Sequence, residues 1–595
     1  MSSLSGMMPP PPSAGPAVPV ATSIEVDDTQ ALEYLTLDRK QDFALHEIPR
    51  PIRPLPLPTT MYPSLASIAA VAPARPRAEI IISFSLSSLG WLFSVVHAPT
   101  FMEEFIAFWA RGNEGVVSTS PAWLALYFAL LTCGAAMLTA EQRMLLGLSP
   151  EDCLTFARTW APCTSALLYH SDFLERHTLH SLQAICVLIH GGQDIWSTTV
   201  ITSLRCTGLS IAMEKNLHRL VSNEDWERSS AALSPETRVK ALIHRETCKK
   251  VFWTLPPSRI STPLPLNLHD RDLTSGLSTS HPDSTYTSIS WQRAQIHLSH
   301  YVQRVFHAVD EPAEVAHGVL LAVDDEFMHW FASVEPWWTG RDGGMSRDMP
   351  LTYKWLQSAF TVSAQFKMLD LHRRYINKPE PRYDASRARI VDLARSILRE
   401  APKIGECECR LASVLYHLSS ASFLALRDLF NHPSPSAPSH SASSSTDPRR
   451  AEVRAALAVL DAAKGTSSIA ARAGGFVERL LEMEGVQHGG SGAGTGAGAE
   501  EGVGESGSEG AARISPGLSL SSAGEVDWSA SARASAAFED GFGASAAGVG
   551  SAGEMVLDPL FPFDLLGMGG EGGRGEAQFG LGDEWGGGGA GMGWL

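Results

Sequence analysis

Residues 122–138 read AWLALYFALLTCGAAML, a run that is apolar except for Thr132. A helix that is apolar on every side is buried, either in the core of a large protein or in a membrane. About 20 apolar residues are needed to cross a bilayer. This run is shorter, and no Lys/Arg cluster that would orient a span lies at its immediate flanks. We therefore interpret it as a core helix; a membrane-embedded helical protein is kept as an alternative.

The segments on either side of this run predict an all-α body. Residues 80–102 lack Asp, Glu, Lys and Arg, but serines, a glycine and a proline interrupt them, so they would span a membrane poorly. Elsewhere apolar residues recur at helical spacing, and alternating Val/Ile/Thr runs are few. Ser149 and Ser234 each precede a proline and an acid, which predicts helix starts. The predicted helices are 101–110, 122–145, 151–169, 179–190, 195–217, 235–254, 290–309, 314–333, 351–375, 384–400, 409–430 and 448–484.

The composition divides the 595-residue chain into unlike parts. The last 108 residues contain 15 acidic and 3 basic residues, and 31 of the 51 glycines. Such a sequence cannot bury enough apolar surface to offset its conformational entropy, so we expect it to be disordered. The fold class is therefore an irregular all-α regulatory domain between disordered ends. The predicted organisation is a disordered Pro-rich segment at 1–62, an all-α domain at 78–430, a linker at 431–447, a helix at 448–484 and a Gly-rich acidic tail at 485–595.

Charge and cysteine content exclude two classes of protein. The net charge is −17, and no part of the chain is strongly basic, so it does not coat nucleic acid by charge alone. Eight cysteines are too sparse for a disulfide-built secreted module, and the opening MSSLSGMMPPPP has no signal-peptide pattern. We expect an intracellular, reducing compartment.

Five segments of the body carry a family resemblance. They read WLFSVVHAPTF from residue 91, the 122–138 run, SLQAICVLIHGGQDIW and its continuation to NLHRL, RETCKKVFWTL from 245, and FKMLDLHRRYINKP from 366. In this order they resemble the fungal-specific transcription factor domain. That domain is the middle homology region of the binuclear zinc-cluster regulators, and the match is to the xylanolytic-activator type. The resemblance covers roughly residues 78–398.

The resemblance implies a nuclear regulator of DNA-templated transcription, in which the helical body restrains activity or senses an inducer. It also implies a possible homodimer or heterodimer. We interpret the three histidines in its motifs as packing or capping groups and not as acid/base catalysts. The motif residues to which we assign structural roles are His97, Pro99, Phe101, Leu217, His218, Arg219, Phe252, Trp253, His372 and Arg373.

Two departures from the family concern DNA and zinc. Family members carry six cysteines near the N-terminus, which bind two zinc ions and present a helix to DNA. In this chain the first cysteine is Cys133, inside the predicted core helix. We therefore expect no zinc and no other cofactor in this chain, and DNA binding is implied only by the resemblance. About one family helix is also missing after Trp253.

The other motifs in the chain are weak indications of a functional site. Cys407 and Cys409 lack a second ligand pair at zinc spacing, and two G-x-G-x-x-G matches lie in the tail without a strand before them. The i, i+4 spacing of His297 and Tyr301, with His300 nearby, is common by chance in helices. Lys249–Lys250 and Arg373–Arg374 suggest solvated helix faces. No nucleophile, metal-hydrolase or kinase signature emerges, so we do not expect an enzyme.

The tail alternates acids with aromatic and leucine side chains. Acids keep such a chain solvated, while scattered apolar groups remain available to dock in a coactivator groove. The predicted function is thus a fungal transcription regulator whose tail recruits coactivator or mediator-type proteins. The alternative is a DNA-free interaction module that pairs with or titrates a zinc-cluster factor. The candidate partner-binding residues are Trp528, Phe538, Phe542, Leu560, Phe561, Phe563, Leu565, Leu566 and Trp585.

Overall fold

The computed structural model describes residues 63–112, 115–255, 262–309, 311–334, 338, 350, 352–409, 411–432 and 447–489. These residues are helical and contain no strand, which confirms the predicted all-α class. The helices are α1 Leu65–Val71, α2 Arg75–Ser87, α3 Ala98–Ala110, α4 Gly115–Ser118, α5 Pro121–Ala136, α6 Ala140–Leu146, α7 Pro150–His170, α8 Leu179–Gly191, α9 Thr198–Glu214, α10 Asn223–Ser230, α11 Pro235–Thr254, α12 Asp270–Thr274, α13 Ser290–His307, α14 Ala313–Ser333, α15 Tyr353–Arg373, α16 Asp384–Leu398, α17 Ala401–Glu406, α18 Ala412–Asn431, α19 Pro448–Ala463 and α20 Ser468–Gly489, with 3₁₀ turns at Leu217–Arg219 and Pro381–Tyr383.

The apolar run from which the fold prediction started forms α5. Each of its residues from Ala122 to Ala135 is buried, and α2, α7 and α8 pack around it. A serine of the interrupted 80–102 stretch lies in this interface, where Ser85 Oγ is 3.1 Å from the carbonyl oxygen of Leu130. Among the described residues no single helix is long and apolar enough to cross a membrane. Helices α5 and α6 taken together have the length and composition of a membrane span, but the pair is bent by 110°.

A second group of helices packs around α18. Helices α15, α16, α19 and α20 contact it. The two groups share one hydrophobic core, which extends along the chain from Ile68 to Leu480. A small separate cluster, containing Trp226 and Leu242, lies beneath the segment that joins α11 to α12. The body therefore begins before residue 78 and includes the helices that follow residue 447.

The two predicted helix starts are confirmed. Ser149 caps α7, where its Oγ accepts the backbone N–H of Asp152 and the Asp152 carboxylate accepts the N–H of Ser149. Ser234 caps α11 by accepting the N–H of Thr237. In both helices proline occupies the first turn, where its missing N–H leaves no hydrogen bond unmade.

Two predicted long helices are wrong because each is divided. The 122–145 prediction splits into α5 and α6, since Thr139 begins a new, half-exposed helix in which no residue is buried. The 448–484 prediction splits into α19 and α20 at residues 464–467. There Ser467 Oγ accepts the N–H of Ala470 and starts α20. Thr139, in contrast, makes no side-chain capping hydrogen bond at the start of α6.

Three further predictions lie outside the described residues. These are the disordered segment at 1–62, all of the 431–447 linker except residues 431, 432 and 447, and the acidic tail after residue 489.

Candidate functional site

His97 starts helix α3. Its Nδ1 lies 2.8 Å from Thr100 Oγ1, and its Nε2 lies 3.2 Å from the carbonyl oxygen of Asp270. Burial lowers the pKa of His97, although Asp270 acts in the opposite direction. A lowered pKa favours the neutral ring, which can accept a hydrogen bond from the helix terminus. Pro99 lies in the first turn, and Phe101 stacks on Trp123 at 5.4 Å.

A buried network of charges occupies α11. Glu246, only 1% exposed, accepts hydrogen bonds from Lys249 Nζ at 2.6 Å and from Arg245 Nη1 at 2.9 Å. Its second carboxylate oxygen accepts the backbone N–H of Leu266 at 2.9 Å. Lys249 Nζ also donates to Asn223 Oδ1 at 2.9 Å. The network therefore joins α11 to α10 and to the segment before α12.

A second ion pair extends this network to α3. Lys250 Nζ lies 3.1 Å from Asp270 Oδ1, and Asp270 Oδ2 accepts the N–H of Ala98 at 2.8 Å. Burial acts to raise the pKa of Asp270, but Lys250, His97 and the Ala98 N–H outweigh it, so the pKa is lowered. Burial lowers the pKa of Lys249 to about 8, against the opposing effect of Glu246.

The prediction that the basic pairs are solvated is wrong for three of their four residues. Lys249, Lys250 and Arg373 are 0%, 2% and 5% exposed. Lys249 pairs with Glu246 on the same helix, and Lys250 pairs with Asp270 on α12. Arg373 Nη1 lies 3.5 Å from Ser420 Oγ. Buried charges are tolerated only when paired and hydrogen-bonded, and a sequence does not show which distant residue supplies the partner.

His372 belongs to a polar network between α14, α15 and α16. Its Nδ1 lies 2.9 Å from Ser386 Oγ, and its Nε2 lies 3.5 Å from Asp324 Oδ2. His317 Nε2 lies 2.8 Å from the same serine oxygen, and Arg389 pairs with Asp324 through two hydrogen bonds. The group has the composition of a Ser-His-Asp triad, but Ser386 is 0% exposed. A nucleophile needs access to its substrate, and this serine is enclosed; the hydrogen bonds of the network connect α14, α15 and α16.

The remaining motif residues lie around α11. Leu217 is buried in the 3₁₀ turn Leu217–Arg219, which also contains His218 and Arg219. Its carbonyl oxygen accepts a hydrogen bond from Thr262 Oγ1 at 2.5 Å. Phe252 is fully buried, and Trp253 Nε1 donates to the carbonyl oxygen of Pro263 at 3.1 Å. Residues 262–269, which follow, contain no helix.

The cysteine pairs do not assemble a metal site. Cys407 Sγ lies 3.5 Å from the carbonyl oxygen of Ile404, and Cys409 is buried. Cys248 Sγ lies 3.6 Å from His244 Nε2. Within the described ranges no group of three or more His, Cys, Asp or Glu side chains is placed to hold a metal ion.

An open groove of about 360 Å³ lies between α13, the end of α14 and the segment before α13. We call it the α13–α14 groove. His297 and His300, whose spacing on a helix is common by chance, both line this groove. No local sequence pattern indicated its other walls, because these come from separate segments. The residues that define it are Asp283, Arg293, His297, His300, Trp330 and Trp338.

None of the candidate partner-binding residues of the tail is within the described residues. These are Trp528, Phe538, Phe542, Leu560, Phe561, Phe563, Leu565, Leu566 and Trp585. Their role as coactivator anchors therefore stays a prediction.

Comparison with known proteins gives two relatives, and no family model matches the chain. The probable transcription factor lepB of Aspergillus flavus is 20% identical over 461 residues, which are 69% of this chain and 77% of that protein. The Zn(2)-C6 fungal-type transcription factor mpsB of Macrophomina phaseolina is 34% identical over 77 residues, which are 13% of this chain and 9% of that protein. The chain is thus similar to proteins named as fungal transcription factors, over most of its length in one case and over a short segment in the other.

Proposed function

We propose that this chain is a fungal regulator of DNA-templated transcription that acts in the nucleus, with an α-helical regulatory body and an activating tail. The observation that carries the proposal is the similarity to lepB across 69% of the chain. The narrower assignment, a body of the middle-homology type, is supported by five motif segments that occur in the family's order. The zinc cluster in the name of mpsB is a property of that protein; we propose no zinc site here.

The contacts among the motif segments support a single regulatory unit. His97, from the first motif, touches Asp270, which pairs with Lys250 of the basic motif in α11. These segments are far apart in the sequence and meet around one helix. Their charged groups bind each other in the interior, which suits a scaffold and not a catalytic centre. We infer that the body has no enzymatic activity.

The proposal for the tail rests on its composition. Residues 557–566 read LDPLFPFDLL, and acids lie beside aromatic residues at Trp528, Phe538 and Trp585. Docking of a flexible segment depends on a few apolar anchors, whereas charge mainly assists encounter. Proline at 559 and 562 disfavours a regular helix before residue 562. A short helix from about Pro562 would bring Phe563 and Leu566 onto one face.

A reporter experiment tests the proposal. Residues 524–595 are fused to a foreign DNA-binding domain, so that the result does not depend on whether this chain contacts DNA. We expect activation of the reporter. Alanine at all five central anchors should abolish it, and asparagine at Asp558 and Asp564 should only weaken it. The five anchors are Leu560, Phe561, Phe563, Leu565 and Leu566.

Equal activation by the alanine variant and the parent fusion, at equal protein levels, would show that the tail is not an activation segment. A parallel measurement with the full chain fused to a fluorescent protein tests the nuclear location. Exclusion of that fusion from the nucleus would contradict the proposed site of action.

A further inference from the structure

We propose that the α13–α14 groove binds a small, uncharged, planar aromatic molecule that carries a hydroxyl group. Its volume of about 360 Å³ is within the range of small-molecule pockets. Both aromatic and polar side chains line it, which is the usual composition of a site that selects a ligand and orients it. The proposal concerns the body alone and is independent of activation by the tail.

Other aromatic side chains pack against the two tryptophans that line the groove. The Trp330 ring contacts Phe360 with a centroid distance of 6.0 Å and His297 at 4.9 Å. The Trp338 ring lies 4.4 Å from Phe360. Rings that are fixed by neighbours lose little conformational freedom when a ligand packs on them. A flat, rigid aromatic ring would therefore bind most favourably by packing against these tryptophans.

Two imidazoles supply the polar part of the site. His297 and His300 are three residues apart on α13, which places them on one side of the helix. In the described part of the chain, neither ring has a hydrogen bond to another residue, although His300 packs edge-on against Trp253. A neutral imidazole has one donor and one acceptor nitrogen. A hydroxyl group can bind both kinds of nitrogen, by donating to one ring and accepting from the other.

The charges around the groove favour an uncharged ligand. The Arg293 guanidinium donates to Asp283 Oδ1 at 2.8 Å and to the carbonyl oxygen of Pro265 at 2.6 Å. These two fixed charges offset each other. Burial lowers the pKa of His297 and the nearby His300 lowers it further, against the opposing effect of Asp283; the lowered pKa favours the neutral ring. A carboxylate or ammonium ligand would thus lose hydration without gaining an unpaired opposite charge.

Three probes that share the naphthalene ring system test this selectivity. Naphthalene, 2-naphthol and 2-naphthoate are titrated against the full chain at pH 7.5 by isothermal calorimetry. We expect 2-naphthol to bind tightest. Naphthalene should bind about threefold to tenfold more weakly, because one hydrogen-bonding group is lost. 2-Naphthoate should also bind more weakly than 2-naphthol.

Variants test the location. Ala294 lines the groove, so Ala294→Trp should fill it and abolish binding of 2-naphthol while thermal unfolding shows a folded protein. His300→Ala should weaken 2-naphthol toward the affinity of naphthalene. His307→Ala removes an exposed histidine from the end of the same helix, outside the groove, and should change nothing. If Ala294→Trp does not fold, the affinities of His300→Ala and His307→Ala for 2-naphthol test the location of the site.

Two outcomes would overturn the proposal. One is the absence of saturable binding of 2-naphthol at concentrations up to about 1 mM. The other is equal affinity of 2-naphthol for the parent, His300→Ala and His307→Ala proteins.

Discussion

At the scale of single residues, α11 shows how strongly position alters the effect of one type of side chain. Glu246 and Glu236 belong to the same helix and each pairs with a lysine. Glu246 and Lys249 are 1% and 0% exposed, whereas Glu236 and Lys240 are 80% and 75% exposed. Removing one partner from a buried pair leaves an unpaired charge in the interior. An exposed pair is screened by water and contributes little.

We therefore predict that Glu246→Ala lowers the free energy of unfolding by about 3–5 kcal/mol, because Lys249 and Arg245 lose their carboxylate in the interior. Glu236→Ala is the matched control and should cost less than about 1 kcal/mol. Urea unfolding at pH 7 measures both. Similar values for the two variants would mean that water reaches the Glu246 network.

At the scale of helices, glycines set how closely α5 approaches its neighbours. A Cβ at Gly134 would lie 2.1 Å from Ser85 Oγ and 3.1 Å from Ile81 Cγ2, both on α2. A Cβ at Gly191, on α8, would lie 2.6 Å from Cys133 Cβ. Because α5 is apolar on every side, its hydrophobic pattern does not specify these contacts; the small residues do.

Gly134→Ala should destabilise the protein by about 1–3 kcal/mol, since α2 must move to admit the methyl group. Gly318→Ala, in the interior of α14, meets nothing within 4 Å and should instead stabilise by about 0.5–1 kcal/mol, because alanine loses less entropy in a helix. Thermal and urea unfolding distinguish the two. Stabilisation by both substitutions would contradict the close packing of α2 on α5.

At the scale of the whole molecule, α19 and α20 join the body through charges and core contacts. Glu452 of α19 pairs with Arg395 of α16 and with Arg399, which directly follows α16, at 2.9 Å in each case. Leu460 of α19 is 0% exposed. Ser467 Oγ, at the start of α20, donates to Asp194 Oδ1 at 2.7 Å. The last two described helices therefore pack as part of the same body.

The Asp194 contact should make this docking depend on pH. Burial raises the pKa of Asp194 to about 6, although Ser467 and the backbone N–H groups of Ile469 and Ser468 oppose the shift. The folded protein thus holds this proton more tightly than the unfolded chain. The contribution of Asp194 to stability is fully present below pH 4 and is lost as the pH rises through about 6.

We predict that Asp194→Asn removes this loss. Relative to the variant, the parent should lose on the order of 3 kcal/mol at most between pH 4 and pH 7. Asp461→Asn, at an exposed carboxylate of α19, controls for the loss of one negative charge. Urea unfolding at several pH values measures the difference, and parallel pH profiles of the parent and Asp194→Asn would refute the prediction.

The sequence by itself determined the all-α class, the burial of α5 and the starts of α7 and α11. These features depend on signals within one or two helical turns, such as apolar residues on all sides or a serine before a proline. It did not determine where α5 ends or that residues 448–484 form two helices. The start of α20 depends on the Ser467 cap, and short polar side chains occur both within helices and at their ends. The end of α5 has no such signal, since Thr139 makes no side-chain capping hydrogen bond.

Only the tertiary structure decided which charges are buried and which surfaces form the groove. Lys250 pairs with Asp270, 20 residues away, and Asp324 pairs with Arg389, 65 residues away. A basic pair reads the same in the sequence whether it is solvated or matched in the interior, because its environment comes from other elements. The groove likewise combines α13, α14 and a connecting segment. Its chemistry exists only once these elements have packed together.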